Sequence, residues 1–433
     1  MPRLLLLLPT TTYRAADFLE AAARIGADVV VATEEASAVA SVNPDGLWTL
    51  NFRDPEAAAR RVLELSAKGP ALDAVLGVDD DTAVTAAAIA HALNLPHAPV
   101  SAAEAARHKG RMRDLLSAAA VPVPRHRVFS RDGDPSEAAA AVRYPCVLKP
   151  TFLAASRGVI LANDPTEFRR AWERIERILD EPEAIARGGS AAREILAEDF
   201  VSGPEVALEG LLTDGRLRVL ALFDKPDPLE GPFFEETLYV TPSRLPPQTQ
   251  DAVADIVVRA SRALGLTEGP LHAEVRIGSK GPVLIEAAAR SIGGLCSRTL
   301  RFGTGMSLEE VILRHALRLP ASPAREVAAA GVMMIPIPRA GIFERVIGLE
   351  AARRVEGIVE ATITLRPGQK LVPLPEGSRY LGFIFSRGSS PAAAEEALRA
   401  AHAKLEIVTR DEFGNDGPGK REEGEERLRP RET

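Results

Sequence analysis

The sequence predicts a mixed α/β and α+β protein of several domains, with a Rossmann-like N-terminal domain and a small α+β C-terminal domain. Three observations carry that expectation. At 433 residues the chain is too long for one ordinary core, and about 150 residues per domain gives roughly three. Over the first hundred residues, short apolar runs alternate with helical stretches, the pattern of βαβ units on a parallel sheet. Past Leu319-Pro320-Ala321-Ser322-Pro323, the best interdomain linker, a second series of short apolar runs begins.

In order, residues 4–8 read as a buried strand and 14–25 as an amphipathic helix ending near Gly26. Residues 28–32 and 74–78 read as further strands, and 82–93 as an alanine-rich helix after Asp79-Asp80-Asp81. No GxGxxG follows Leu8, where Pro9-Thr10-Thr11-Thr12 stands instead, so the dinucleotide fingerprint is missing. Residues 102–119 are expected as one helix stopped by Val121-Pro122-Val123-Pro124, 135–142 as a short helix, and 146–149 as a strand. From 194 to 222 the pattern turns to strands joined at Thr213-Asp214-Gly215. A helix over 248–264, a hairpin over 271–289 and a helix over 307–317 follow. Runs at 331–336, 359–365, 380–386 and 405–408 make up the C-terminal domain, and the charged segment 411–433 is expected to be disordered.

Composition narrows the function. Lys and Arg total 53 against 60 Asp and Glu, a net charge of −7 that argues against a dedicated nucleic-acid binder. A small anion needs only a few well-placed cations and is not excluded. Aromatic residues, at 5%, are too few for a base-stacking platform. Cys146 and Cys296 are far apart, which rules out a disulfide scaffold and makes a cysteine metal site unexpected; Cys296 reads as a small buried hydrophobe. The leucines at 4–8 are fewer than a secretory signal needs, and no run approaches the roughly 20 apolar residues of a membrane helix. A soluble, cytoplasmic protein that binds neither nucleic acid nor membrane is expected.

The hairpin LHAEVRIGSKGPVLIEAAAR, residues 271–290, is the most informative stretch. A three-residue loop, Ser279-Lys280-Gly281, would pair Gly278 with Pro282. Counting back from it places Glu274 opposite Glu286 and His272 opposite Ala288, with Arg290 on the same face. Facing carboxylates repel, and a divalent cation would reconcile them; oxygen ligands suit magnesium. Solvation or an arginine partner would serve equally, so the hairpin alone leaves both readings open.

Lys149 ends an apolar strand, where its stem can stay packed while its ammonium reaches a ligand. Ala154-Ala155-Ser156-Arg157-Gly158 could bring backbone N–H groups to phosphate oxygens, or be an ordinary surface turn. Glu198-Asp199-Phe200-Val201, leading to Glu205, could read a purine edge and ribose hydroxyls, although acidic hinges are common. Lys109 lies in a cationic helix start that would also suit a solvated face.

Taken in order, HKGRMRDLLSAAAVPVP, YPCVLKP, SRGV, AEDFVSGPE and EVRIGSKGPVLIEAAARSIGG resemble the ATP-grasp superfamily over roughly residues 1–320. Within it the chain is similar to the L-amino-acid ligase branch, through RPGQKLVPLPEGSRYLGFIFSRG at 366–388 and FDKPDPLEGPFFEE at 223–236. The resemblance implies a Rossmann-like domain over 1–105, a two-subdomain ATP-grasp core over 106–320 with its lid at about 125–200, and a C-terminal ligase domain over 325–410.

It also implies an ATP-dependent ligase that forms carbon–nitrogen bonds. A carboxylate, expected to be that of an amino acid, would be activated as an acyl phosphate and joined to an amine, leaving ADP and phosphate. ATP and Mg2+ (or Mn2+) would be the cofactors, and a homodimer is the family's expectation. Lys109 and Lys149 match the lysines that contact ATP phosphates, and Ser156, Arg157 and Gly158 match the loop that closes over them. Glu198 to Val201, including Asp199 and Phe200, match the adenine hinge, and Glu205 the ribose ligand. Glu274 and Glu286 match the metal ligands, and Arg290 the arginine that stabilises the transferring phosphoryl group.

Lys225 is a further catalytic candidate, and His272, Gly293 and Gly294 are substrate candidates; for each, a satisfied polar group or a packing glycine is an equal reading. Many superfamily members carry Asn two residues after the second metal glutamate, where this chain has Ala288. A biotin-carboxylase-like or purine-pathway ligase, or a catalytically silent ATP-binding module, are the alternatives.

Overall fold

The computed structural model describes residues 1–36, 43, 45–303, 305–321, 324–326 and 328–411. Of the tail expected to be disordered only Asp411 is among them, and Ser322 and Pro323 of the linker are also outside the described residues.

The N-terminal strand Arg3–Leu7 is buried along its length and pairs in parallel with Asp28–Thr33 and Ala74–Gly77; Leu47–Thr49 extends the sheet. A parallel strand covered on both faces needs no polar alternation, which explains the leucine run. Leu4 and Leu6 pack with Phe18 of the helix Ala15–Arg24 and with Ile312 of the helix Leu308–Ala316. Leu5 and Leu7 pack with Val62 of Pro55–Ser66 and Ile89 of Asp80–Ala92. This is the Rossmann-like layout expected of the first domain.

The expected helix over 102–119 is two helices, Val100–Arg107 and Lys109–Ala118. His108 leaves the helical region (φ −101°, ψ 101°), and its Nδ1 accepts from the Arg111 N–H at 3.2 Å, capping the second helix. The break frees the Lys109 N–H, which donates to the Thr151 carbonyl at 2.7 Å and ties this helix start to the lid.

The lid is an antiparallel sheet in the order His126–Ser130, Glu194–Asp199, Cys146–Pro150, Ile160–Ala162. Its core is closed by the helix Pro165–Leu179, which begins at Asp164, whose side chain accepts from the N–H groups of Thr166 and Glu167. Phe168, Ala171, Trp172, Ile175 and Ile178 are its buried stripe.

The large subdomain rests on an eight-stranded antiparallel sheet. Its order runs Gly281–Ala288, Gly269–Gly278, Glu205–Thr213, Arg216–Lys225, Leu238–Thr241, Ala329–Ile335, Gly382–Gly388, Ile358–Ile363. The last three strands belong to the C-terminal domain. That domain therefore continues the core sheet through the pairing of Leu238–Thr241 with Ala329–Ile335, both buried throughout, and adds a second sheet around Gly341–Ile347. No helix among the described residues is long and apolar enough to cross a membrane.

The hairpin sets Glu274 against Glu286 by a different route from the one expected. Its loop has two residues, Ser279 and Lys280, closed by Gly278 and by Gly281 at φ +110°. A bulge between Glu274 and Val275, skipping Ile285, then restores the register, so that His272 faces Ala288. The Ile285 carbonyl, released from the ladder, accepts from Arg113 Nη2 at 2.5 Å.

Trp172 is fully buried at the centre of the lid core. Trp172→Ala is expected to destabilise the protein by roughly 3–5 kcal/mol, read as a lowered denaturation midpoint in urea.

Candidate functional site

The N-terminal domain, the lid, the large sheet and the C-terminal domain meet at a cleft of about 300 Å³. Of the residues singled out in the sequence, Lys109, Lys149, Ser156, Arg157, Glu198, Asp199, Phe200, Val201, Glu205, His272, Glu274, Glu286, Arg290, Gly293 and Gly294 line it. Gly158 and Lys225 do not; Lys225 lies behind the carboxylates of the sheet.

Two lysines enter from the lid side. Lys109 Nζ donates to the Leu153 carbonyl at 3.0 Å and lies 3.1 Å from Glu286. Lys149 is paired with Glu198, whose other oxygen accepts from Arg113 Nε at 2.9 Å. Glu198 is 4% exposed. Burial would raise its carboxyl pKa, but Arg113 and Lys149 outweigh burial and hold it at about 2. Burial is also the main reason the Lys149 ammonium titrates below its ordinary range, with Glu198 opposing it. The Glu198 side chain is thus committed to holding two cations. At the hinge itself, Asp199 and Phe200 donate their N–H groups to Arg125 and Pro145, and the Val201 carbonyl accepts from Arg276. The Val201 N–H has no acceptor among the described residues.

The sheet side gathers carboxylates. Oxygens of Glu205, Glu236 and Glu274 lie within 4.8 Å of one another, and Lys225 Nζ stands among them at 2.6, 2.5 and 3.0 Å. Burial opposes the Lys225 charge, but the three glutamates hold its pKa well above the ordinary lysine value. Burial raises the Glu236 carboxyl, whereas Glu274 is held low against burial by Lys225 and His272. Glu205, expected at the ribose, has both oxygens occupied, by Lys225 and by Arg276 Nε at 2.8 Å. His272 pairs through Nδ1 with Glu209, and its Nε2 is 3.5 Å from Glu274. Burial disfavours the imidazolium, but Glu209 overcomes it and raises His272 to about 9. Glu209 also accepts the Ile292 N–H at 3.0 Å, anchoring the turn that carries Gly293 and Gly294.

Arg290 donates through Nε to Asp80 at 2.9 Å, and its Nη2 lies at the same distance. Asp80 opens the helix Asp80–Ala92, so the N-terminal domain orients the arginine. Next to it, Asp81 binds Arg107 at 3.2 Å and the lid's Arg187 at 2.8 Å.

In the loop 154–158, Ala155 and Ser156 hold φ of 54° and 55° and Gly158 holds 73°. Left-handed non-glycine residues cost about 1–3 kcal/mol each and persist only where neighbours impose them. The N–H groups of Ala155 and Ser156 have no acceptor among the described residues, which leaves two backbone donors at the cleft. Arg157 is arranged otherwise than expected. Its guanidinium is held by Glu181 at 2.5 Å and by the Glu376 carbonyl at 2.8 Å, which makes it a strut rather than an open phosphate donor.

Asp80, Arg113, Glu209, Glu236 and Arg276 were not singled out by sequence reasoning. Each has a partner set by the fold rather than by local pattern. Asp80, Arg113, Glu236 and Arg276 lie within stretches the sequence marks, Asp79-Asp80-Asp81 and the segments 108–124, 223–236 and 274–294, whereas Glu209 lies outside them.

Three family models match the chain: the ATP-grasp N-terminal domain over residues 19–97, the ATP-grasp domain over 142–299 and the L-amino acid ligase C-terminal domain 2 over 333–410. Alanine–anticapsin ligase of Bacillus subtilis is 30% identical over 238 residues, 51% of this chain and 49% of that protein. Carnosine synthase 1 of Gallus gallus is 32% identical over 299 residues, 65% of this chain and 32% of that protein. The chain thus spans half or less of the length of these two curated relatives. The crystal structure of L-amino acid ligase from Bacillus licheniformis superposes with a TM-score of 0.76 at 28% identity, covering 95% of this chain and 99% of that one. Phosphoribosylglycinamide synthetase from Anaerococcus prevotii, at 16% identity and a TM-score of 0.65 over 94% and 100% of the two chains, shares the fold.

The Glu198 carboxyl, lowered by its partners, contributes stability that is fully present above the ordinary carboxylate pKa of 4.5 and lost as pH falls through about 2. Glu198→Gln is expected to cost roughly 3–5 kcal/mol at pH 7, because it leaves two buried cations unpaired. Urea titrations should show this gap narrowing by about pH 3; an unchanged gap would contradict the assignment.

Proposed function

We propose that this chain, an ATP-grasp protein with an L-amino acid ligase C-terminal domain, is an ATP-dependent carboxylate–amine ligase. It transfers the terminal phosphoryl group of ATP to a carboxylate, that of an amino acid, and joins the acyl phosphate to an amine. The products are an amide or dipeptide, ADP and phosphate. The observation that carries the reading is the convergence of Lys109, Lys149 and Arg290 on one cleft with Glu274 and Glu286, which face each other across the hairpin.

Phosphoryl transfer needs in-line positioning and neutralisation of charge on oxygen more than covalent help from the protein. Lys109 and Lys149 supply fixed positive charge, and the free N–H groups of Ala155 and Ser156 cradle phosphate oxygens. The Val201 N–H reads the base edge. Arg290, held by Asp80, cannot swing away as charge develops. The lid loop shields the acyl phosphate from water, which would otherwise compete with the amine.

The donor set suits magnesium: Glu274 and Glu286 face each other across the hairpin and offer carboxylate oxygens alone, with Lys225 and Lys109 as their present partners. Glu274 and Glu286 would hold it, and bound magnesium would offset phosphate charge. The alternatives rest on fold likeness alone in the case of purine-pathway ligases, and on Ala288 in the case of a silent module; the retained Glu274, Glu286 and Arg290 argue against the latter.

Incubation with magnesium-ATP and pools of amino acids should yield ADP, phosphate and a product heavier than either substrate, by coupled assay and mass spectrometry. AMP with pyrophosphate would reject the acyl-phosphate route. Glu286→Gln should lower turnover by about 10²-fold or more with little change in unfolding midpoint; retained turnover would remove the metal assignment.

A further inference from the structure

The lid loop 154–158 is not held by the lid alone. Beyond its own turn bonds, Arg157 N–H to Ala154 and Val159 N–H to Ser156, and the Glu181 pair with Arg157, it is held by contacts from a segment more than two hundred residues away. The Gly158 N–H donates to the Pro375 carbonyl and Arg157 Nε donates to the Glu376 carbonyl, both at 2.8 Å. The Glu376 carboxylate in turn accepts from Arg174 of the lid helix, through Nε at 2.5 Å and Nη2 at 2.9 Å, and the Arg174 guanidinium lies over the Phe233 ring. A bidentate pair of this kind sets direction as well as energy. The supporting segment is itself tightly turned. The Gly377 N–H donates to the Pro373 carbonyl, and a Cβ at Gly377 would stand 1.8 Å from the Val372 carbonyl oxygen. Ser378 and Tyr380, immediately beyond, line the cleft.

We infer that residues 373–380 of the C-terminal domain are the seat on which the phosphate loop closes, and that Glu376 is a positioning residue for nucleotide binding, acting through Arg174 and the loop. The inference rests on the reading of 154–158 as a phosphate loop. It gives the C-terminal domain a direct part in holding ATP, whichever acid and amine are joined.

The full chain is compared as wild type, Glu376→Gln, Arg174→Gln and the exchanged pair Glu376→Arg with Arg174→Glu. Equilibrium binding of magnesium-ADP and proteolysis within 151–159, with and without that nucleotide, are the readouts, beside the thermal midpoint. Each single variant should bind ADP about five- to tenfold more weakly and lose nucleotide protection of the loop. Its midpoint should stay within about 3 °C of wild type. The exchanged pair should recover part of the affinity, because the coupling lies between the two side chains. Wild-type affinity and protection in both single variants would overturn the inference. So would an affinity loss that the exchanged pair does not recover and that follows the midpoint. Neither readout needs an acid or an amine, so absence of amide formation would count against the ligase reading and leave this test intact.

Discussion

The pairing of Glu198 with Lys149 and Arg113, in a place almost closed to water, is the interaction on which the arrangement of the cleft depends. Each partner comes from a different element: the lid strand Cys146–Pro150, the lid strand Glu194–Asp199, and the helix Lys109–Ala118. An isolated buried ion of either sign would cost several kcal/mol, so these elements hold their positions together or not at all. Arg113 extends the constraint further, since its Nη2 binds the Ile285 carbonyl freed by the hairpin bulge. One carboxylate thereby links the lid to the strand that carries Glu286.

The same rule organises the rest of the cleft. Lys225 among three glutamates, His272 between Glu209 of the next strand and Glu274 of its own, and Arg290 on Asp80 of the N-terminal domain are all charges paired out of water. A site meant to accept a polyanion must keep cations ready, and a site meant to accept a divalent cation must keep carboxylates ready. Pairing the two sets with each other lets both be buried before any ligand arrives. The net charge of −7 gives no view of this, because the sum over the chain averages out a cleft in which both signs are concentrated.

Elements set by local pattern were legible in the sequence. The leucine run and the βαβ alternation follow from an unbroken apolar stretch and a helical period of 3.6 that can be counted in the chain. The helix Pro165–Leu179 was equally legible, with Asp164-Pro165 as its start and an apolar stripe behind it, although it was not singled out. The break at His108 was not legible, because histidine is no helix breaker and leaves the helix here to cap the next one. The hairpin was read correctly at Glu274 and Glu286 from a loop one residue too long, since the bulge at Ile285 compensates for the shorter turn. Bulges answer to neighbours such as Arg113, and no local pattern announces them. Asp80, Glu209 and Glu236 were hidden for the same reason: each acquires its role from a partner brought close only by the fold.

Ala288 shows how far such tertiary assembly can go. The resemblance marks this position as one where many members of the superfamily carry an oxygen or nitrogen donor, and here it is a buried methyl facing His272. Glu205 and Glu236, from a neighbouring strand and from the segment before Leu238–Thr241, bring their carboxylates to within 4.8 Å of Glu274 instead. The oxygen density around Glu274 is therefore gathered across the sheet rather than along one strand. Lys225 stands among these three carboxylates and offsets their mutual repulsion, so the cluster is held together by a cation of the chain's own.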